Sequence, residues 1–213
     1  MSAISRRAVI CDFGGVLTSP LVGAFAAVGE RSGASVEALW DAMTQVTEAT
    51  GSHPLSQLEK GLITESDFLS MLEERLDGEV TLQGFREAYF SGLDPNERMI
   101  DYMGDLRARG LRTALLTNNV REWEPLWRAK LPQLDRTFEV VVDSAFVGMR
   151  KPEPEIYELT LERLGGCVTA AECVFIDDSE ANCAAARELG MYAVRFVETE
   201  PAIAEVEAAL GAG

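Results

Sequence analysis

The stretch Cys173-Val174-Phe175-Ile176-Asp177-Asp178-Ser179-Glu180-Ala181-Asn182-Cys183-Ala184-Ala185-Ala186-Arg187-Glu188-Leu189-Gly190 reads as strand, polar break, helix and stop. Its opening run is short, apolar and rich in β-branched and aromatic residues, as a strand buried on both faces must be. Ala184, Ala185, Ala186 and Leu189 then recur at helical spacing, and Gly190 closes the helix. A second apolar run, Tyr192–Phe196, follows at once. Outward from this unit the same strand signature recurs at Ala8–Phe13, Arg112–Thr117 and Phe138–Asp143. Helical stripes lie between them. One is Met99, Met103, Leu106 and Leu111, stopped at Gly110; another is Ile156, Leu159, Leu161 and Leu164, entered through Pro152 and Pro154 and ended at Gly165-Gly166. The alternation predicts an α/β fold, a Rossmann-like parallel sheet with helices on both faces.

One interval breaks the rhythm. Between the first strand and the helix before the second, the patterns are helical only: Leu21–Arg31, Val36–Thr47, Thr64–Leu76 and Leu82–Phe90. Thr64 with Asp67 three residues on approximates a capping box, in which Glu or Gln is the usual partner. The expected organisation is an α/β core domain from residues 1–18 and 93–213, with 19–92 an inserted helical cap domain. The alanine-rich tail after Pro201 reads as a last helix.

Among the 213 residues, 47% are hydrophobic and 25% charged, the balance of a globular domain rather than a disordered chain. Nineteen Lys and Arg against 35 Asp and Glu give a net charge of -16, which disfavours nucleic acid and anionic membrane as partners. The longest apolar stretch, Leu21–Val28, is too short to span a bilayer and is interrupted by Gly23. Only Ala8–Cys11 follow Arg6 and Arg7 before Asp12, so no signal-peptide core is read and a cytoplasmic location is expected. Cys11, Cys167, Cys173 and Cys183 contain no CxxC pair. Cys11 and Cys173 read as reduced packing residues, and zinc-ligand spacing is absent. His53 is the only histidine.

Three strands end in polar clusters, and parallel sheets bind ligands beyond the carboxyl ends of their strands. Asp12 ends the first, followed by Gly14-Gly15; it is either a site carboxylate or the cap of a turn. Thr117, Asn118 and Asn119 end the second, as phosphate-oxygen ligands or as helix caps. Asp177 and Asp178 end the fourth. Adjacent carboxylates there repel unless a cation joins them, and hard oxygen ligands suit Mg²⁺; the alternative has one Asp capping the helix and the other solvated. Lys151, one of three lysines with Lys60 and Lys130, precedes a helix and is either a site cation or a solvated loop residue.

Taken in order, Asp12, Thr117, Lys151-Pro152 and Asp177-Asp178 resemble the haloacid dehalogenase superfamily over nearly the whole chain. Within it the chain is most similar to the phosphatase domain of soluble epoxide hydrolases. The stretches DFGGVLT, EKGLITESDF, GMRKPEPEIYELTLERLG and FIDDSEANCAAARELGM carry the likeness. The resemblance implies sheet order 5-4-1-2-3 and a helical cap after strand one. It implies Asp12 as a nucleophile forming an aspartyl-phosphate, and Mg²⁺ held by Asp12, the Gly14 carbonyl and Asp178. It places Thr117, Asn118 and Asn119 on the phosphoryl oxygens, Lys151 on the developing charge and on Asp12, and Asp177 behind Lys151 or the metal waters. The substrate would be a small phosphorylated metabolite, and the protein a monomer or homodimer.

The pattern departs at two positions. Gly14 stands where family phosphatases carry a second Asp as general acid and base, a group worth roughly 10²–10⁴-fold in rate. Asn182 stands where many relatives have another acidic residue. The expectation is a slow phosphatase favouring good leaving groups, or one that borrows a proton-transfer group from the cap, His53 or Glu48. Trp40, His53 and Trp123 are candidates for the site mouth, and Gly51-Ser52-His53-Pro54 for a specificity turn. A non-catalytic binding protein and a metal-independent 2-haloacid dehalogenase are the alternatives.

Overall fold

The computed structural model describes residues 5–76, 80–166 and 168–211; Cys167 lies outside them. The first strand, β1 (Ala8–Cys11), is followed by five helices: α1 (Leu21–Ser32), α2 (Val36–Thr50), α3 (Pro54–Glu59), α4 (Glu65–Glu73) and α5 (Phe85–Ser91). Then come α6 (Glu97–Ala108), β2 (Arg112–Thr117), α7 (Glu124–Ala129), α8 (Leu134–Thr137), β3 (Val140–Asp143), α9 (Ser144–Val147) and α10 (Pro154–Arg163). The chain continues through β4 (Cys173–Asp177), α11 (Glu180–Glu188), β5 (Tyr192–Arg195) and α12 (Thr199–Gly211). No helix among the described residues is long and apolar enough to cross a membrane.

The strands form one five-stranded sheet, order β3-β2-β1-β4-β5, every pair parallel. Read from the other edge this is the expected 5-4-1-2-3. Alternation along each strand sends side chains to opposite faces. Val9, Cys11, Leu115, Val174 and Ile176 join one apolar cluster, which also takes in Phe13, Leu17 and Leu93 and residues of the helices between β1 and α6. Ala8, Ile10, Ala114, Leu116, Cys173 and Phe175 join the other, under α10 and α11. Cys11, Cys173 and Cys183 are buried free thiols.

Local chemistry shifts several boundaries from the sequence expectation. The first and last strands stop at Cys11 and Arg195 rather than Phe13 and Phe196, and α8 runs to Thr137, so β3 starts at Val140. Proline at the first helical position starts α3 directly from what the sequence suggests is a turn. The capping box is complete: Asp67 N–H donates to the Thr64 hydroxyl and Thr64 N–H to Asp67, each at 3.1 Å. The last helix begins two residues before Pro201. Gly23, which interrupts the longest apolar run, is a packing contact. A Cβ on Gly92, just after α5, would lie 2.7 Å from the Gly23 carbonyl oxygen, so α1 and α5 approach at two glycines.

Candidate active site

Strand register assembles the site. Cys11 is opposite Ile176 across β1 and β4, and the Asp12 N–H donates to the Ile176 carbonyl at 2.9 Å. Asp12, Asp177 and Asp178 thereby offer carboxylate oxygens within 4.8 Å of one another. Lys151 reaches between them from the loop before α10. Its ammonium is 2.7 Å from Asp12 Oδ1 and 2.7 Å from Asp177 Oδ2, and the residue is 1% exposed. That excludes a solvated loop lysine. Asn118 fixes the loop, its Oδ1 accepting the Lys151 N–H at 2.9 Å and its Nδ2 donating to the Lys151 carbonyl at 3.0 Å.

The two oxygens of Asp12 are not equivalent. Oδ1 accepts from Lys151 and, at 2.7 Å, from the Phe13 N–H. Oδ2 has no hydrogen-bond partner among the described residues, and Asp12 lines a cavity of about 450 Å³. Both oxygens of Asp177 are occupied. Oδ2 takes Lys151, while Oδ1 accepts the Ser179 N–H and the Asn182 amide, each at 2.9 Å. Asp177 is fully buried and holds the N–H of Ser179, the N-cap residue of α11, but does not itself cap the helix, and its neighbour Asp178 is half-buried rather than freely solvated. Asp178 lines the cavity and makes no ion pair among the described residues.

Electrostatics shows a deficit of positive charge. Burial pushes Asp12 up to about 7 and the Asp177 carboxylate adds to this, with Lys151 opposing. Asp178 is raised by burial and then by Asp177. Burial disfavours the Lys151 ammonium, but its two carboxylate partners outweigh that and hold its pKa well above the usual lysine range. Three carboxylates around one ammonium leave an excess of two negative charges, which a divalent cation with oxygen ligands would balance. The backbone fits such an ion as well. Gly15 turns at φ +77°, and a Cβ there would stand 2.4 Å from Asp178 Oδ2, so the carboxylate approaches the glycine where no side chain fits.

The rest of the cavity falls into a polar floor and an apolar upper part. Thr117 ends β2 in the floor, and its hydroxyl has no hydrogen-bond partner among the described residues. Asn119 also lines it, but its N–H donates to Ser144 Oγ at 3.0 Å and its Oδ1 accepts from Val120. Both side-chain polar atoms of Asn118 are engaged, whereas the Thr117 hydroxyl and Asn119 Nδ2 have no hydrogen-bond partner among the described residues. Above the floor stand Leu21, Phe25, Leu39, Met43, Leu55, Leu58, Phe68, Leu72, Phe85, Phe90 and Leu93. Trp40 and Trp123 line this part; His53 does not. Glu48 is exposed on α2 and is not part of the wall. A carboxylate that the sequence reading did not single out is Glu59, at the end of α3, whose Oε2 accepts from Arg150 Nε at 2.6 Å. Its only sequence signal is its place in the EKGLITESDF stretch.

Comparison with known proteins agrees with this arrangement. A family model described as haloacid dehalogenase-like hydrolase matches residues 6–190. Acyl-CoA dehydrogenase family member 10 of Mus musculus is 34% identical, over 97% of this chain and 19% of its own length. Bifunctional epoxide hydrolase 2 of Mus musculus is 29% identical, over 98% of this chain and 39% of its own length. The chain thus spans well under half of these relatives. A Bacteroides thetaiotaomicron HAD family enzyme, solved in complex with magnesium and inorganic phosphate, superposes with a TM-score of 0.69 at 27% identity, covering 92% of this chain and 96% of that one. With the family model covering strands β1 to β4 and the carboxylate cluster alike, the chain belongs to the haloacid dehalogenase-like hydrolases.

Proposed function

We propose that this chain is a magnesium-dependent phosphatase that hydrolyses the phosphomonoester of an apolar alcohol through a phosphoryl group carried on Asp12. The observation that carries the reading is the asymmetry of Asp12, a residue that lines the cavity: one oxygen is pinned by Lys151 and the Phe13 N–H, and the other has no hydrogen-bond partner among the described residues. A carboxylate oriented in this way is positioned for in-line attack on phosphorus. The ester P–O bond breaks as the Asp12–phosphorus bond forms, and water later cleaves the acyl phosphate to release inorganic phosphate. Lys151 offsets charge on Asp12 throughout, and the Thr117 hydroxyl donates to a phosphoryl oxygen. Asp177 holds Lys151 in place. Asp12, Asp178 and the Gly14 carbonyl would hold Mg²⁺, which when bound supplies positive charge to the phosphoryl oxygens.

The apolar upper wall supports the substrate class. A volume of about 450 Å³ accommodates a small molecule. Aliphatic and aromatic walls offer a sugar no replacement for its hydration, whereas an alkyl or prenyl tail gains about 25 cal/mol per Å² it buries. Residues 19–92 act in this reading as a cap whose opening admits substrate, and the cytoplasm is the working compartment. The test is phosphate release from long-chain alkyl phosphate and from sugar phosphates, with Mg²⁺ and with chelator, and with Asp12→Asn as the blank. Magnesium-dependent release favouring the alkyl ester is expected. Equal release by the Asp12→Asn protein, or preference for the sugar esters, overturns the reading.

A further inference from the structure

Expelling an alkoxide from phosphorus needs a proton, since an alcohol is far too weak an acid to leave as its anion at neutral pH. The titratable or charged residues that line the cavity are Asp12, Glu59, Tyr89, Arg150, Lys151 and Asp178. Asp12 is taken by bond formation to phosphorus, and Asp178 belongs to the cation cradle. Arg150 is engaged by Glu59, and Lys151 is held as an ammonium by its two carboxylates. Burial, followed by the charge of Glu59, drives the Tyr89 phenol well beyond its usual range. Nor can a side chain at residue 14 serve. That residue is glycine, and a Cβ there would already meet Leu21 Cδ2 at 3.1 Å.

We infer that Glu59 is the proton donor and acceptor of this site, delivered from the inserted helices by α3. The inference rests on the phosphatase reading above. Glu59 Oε2 is occupied by Arg150, while Oε1 has no hydrogen-bond partner among the described residues, in a residue that lines the cavity. Arg150 immediately precedes Lys151, whose backbone Asn118 holds. One short segment therefore positions both the cation on the nucleophile and the partner of the acid. Around Glu59 stand Arg150 and Lys151 as cations and Tyr89 as a neutral phenol. Lys60 beside it is paired with Glu153, and His53 opens the same helix. Burial raises the Glu59 carboxyl above its usual range, with Arg150 opposing, which favours the protonated form a donor requires. In the first step the Glu59 proton moves to the departing alcohol oxygen as the P–O bond breaks. In the second, the ionised Glu59 takes a proton from the water that attacks phosphorus, and the acid is regenerated.

Glu59→Gln and Arg150→Met, assayed with magnesium on an alkyl phosphate and on 4-nitrophenyl phosphate, separate this role from a merely structural one. Both variants break the ion pair, but only the first removes the acid. For Glu59→Gln the alkyl ester should lose about 10²–10⁴-fold in kcat/KM. The nitrophenyl ester should keep its first step and show a stoichiometric burst of nitrophenol. Arg150→Met should retain the wild-type ratio between the two esters and move the alkaline limb of kcat/KM to higher pH. Equal losses on both esters, or an alkaline limb that stays in place in Arg150→Met, overturn the inference. That last measurement decides the matter should the Gln variant not fold. Wild-type protein inert on both esters instead overturns the phosphatase reading itself.

Discussion

Lys151, with 1% of its surface exposed, binds two carboxylates and no solvent, so its removal leaves both partners as buried unpaired charges. Lys151→Met should therefore lower stability by roughly 3–5 kcal/mol and abolish turnover. Adding Asp177→Asn should restore part of that stability, since one of the two orphaned charges is then neutral. Urea titration of the single and double variants checks this, and a double variant no more stable than the single one would contradict the bridge. Asp143, opposite Thr117 on β3, offers a pH test outside the carboxylate cluster. It is 6% exposed, its Oδ2 is buried with no hydrogen-bond partner among the described residues, and burial raises its carboxyl to about 6, with the Ala145 N–H on Oδ1 and the Trp127 indole opposing. Its folded pKa lies above the unfolded value, so ionisation penalises the folded state and the penalty disappears as pH falls. Held near 6 rather than 3.8, the carboxylate costs roughly 3 kcal/mol at neutral pH, relieved between about pH 6 and pH 4. Asp143→Asn should flatten stability across that window, as thermal melts at several pH values will show.

At the level of elements, the contact between α3 and α9 is made by small features. Gly61 follows α3 at φ +65°, and a Cβ there would fall 2.4 Å from the Ala145 carbonyl oxygen and 2.8 Å from Arg121. Gly61→Ala should cost roughly 2–4 kcal/mol and raise KM more than it lowers kcat. An unchanged melting temperature would show that this contact yields freely. These contacts also show where sequence reading stops. The five strands carry local signatures, each a short and mainly apolar run, and three of them meet polar clusters at their ends. The ends themselves, at Asp12, Thr117 and Asp177, were legible for the same reason. Helices α1, α2, α4 and α5 were legible from spacing and from the Thr64 cap. Helix α3 was not, because six residues are too few to show a period and its start at Pro54 also reads as a turn. Glu59 was missed because its meaning depends on Arg150, 91 positions away. His53 and Glu48 have suitable side-chain chemistry, but neither is among the residues that line the cavity.

For the molecule as a whole, a net charge of -16 sets the terms on which an anionic ester arrives. Its repulsive field reaches roughly 30 Å at about 0.01 M salt but only about 8 Å at about 0.15 M. The kcat/KM for a phosphate ester should therefore rise over that range, and the melting temperature with it as self-repulsion is screened. A kcat/KM that falls with added salt would instead reveal a steering patch of positive charge. The apolar chamber above Asp12 has a consequence of its own. Its greasy lining belongs to a fold whose net charge repels anionic interfaces, so on the phosphatase reading it should take up single dissolved molecules and not the skin of an aggregate. Once an amphiphilic phosphate begins to form micelles, the velocity will stop climbing with total concentration, because added material joins particles the protein cannot graze.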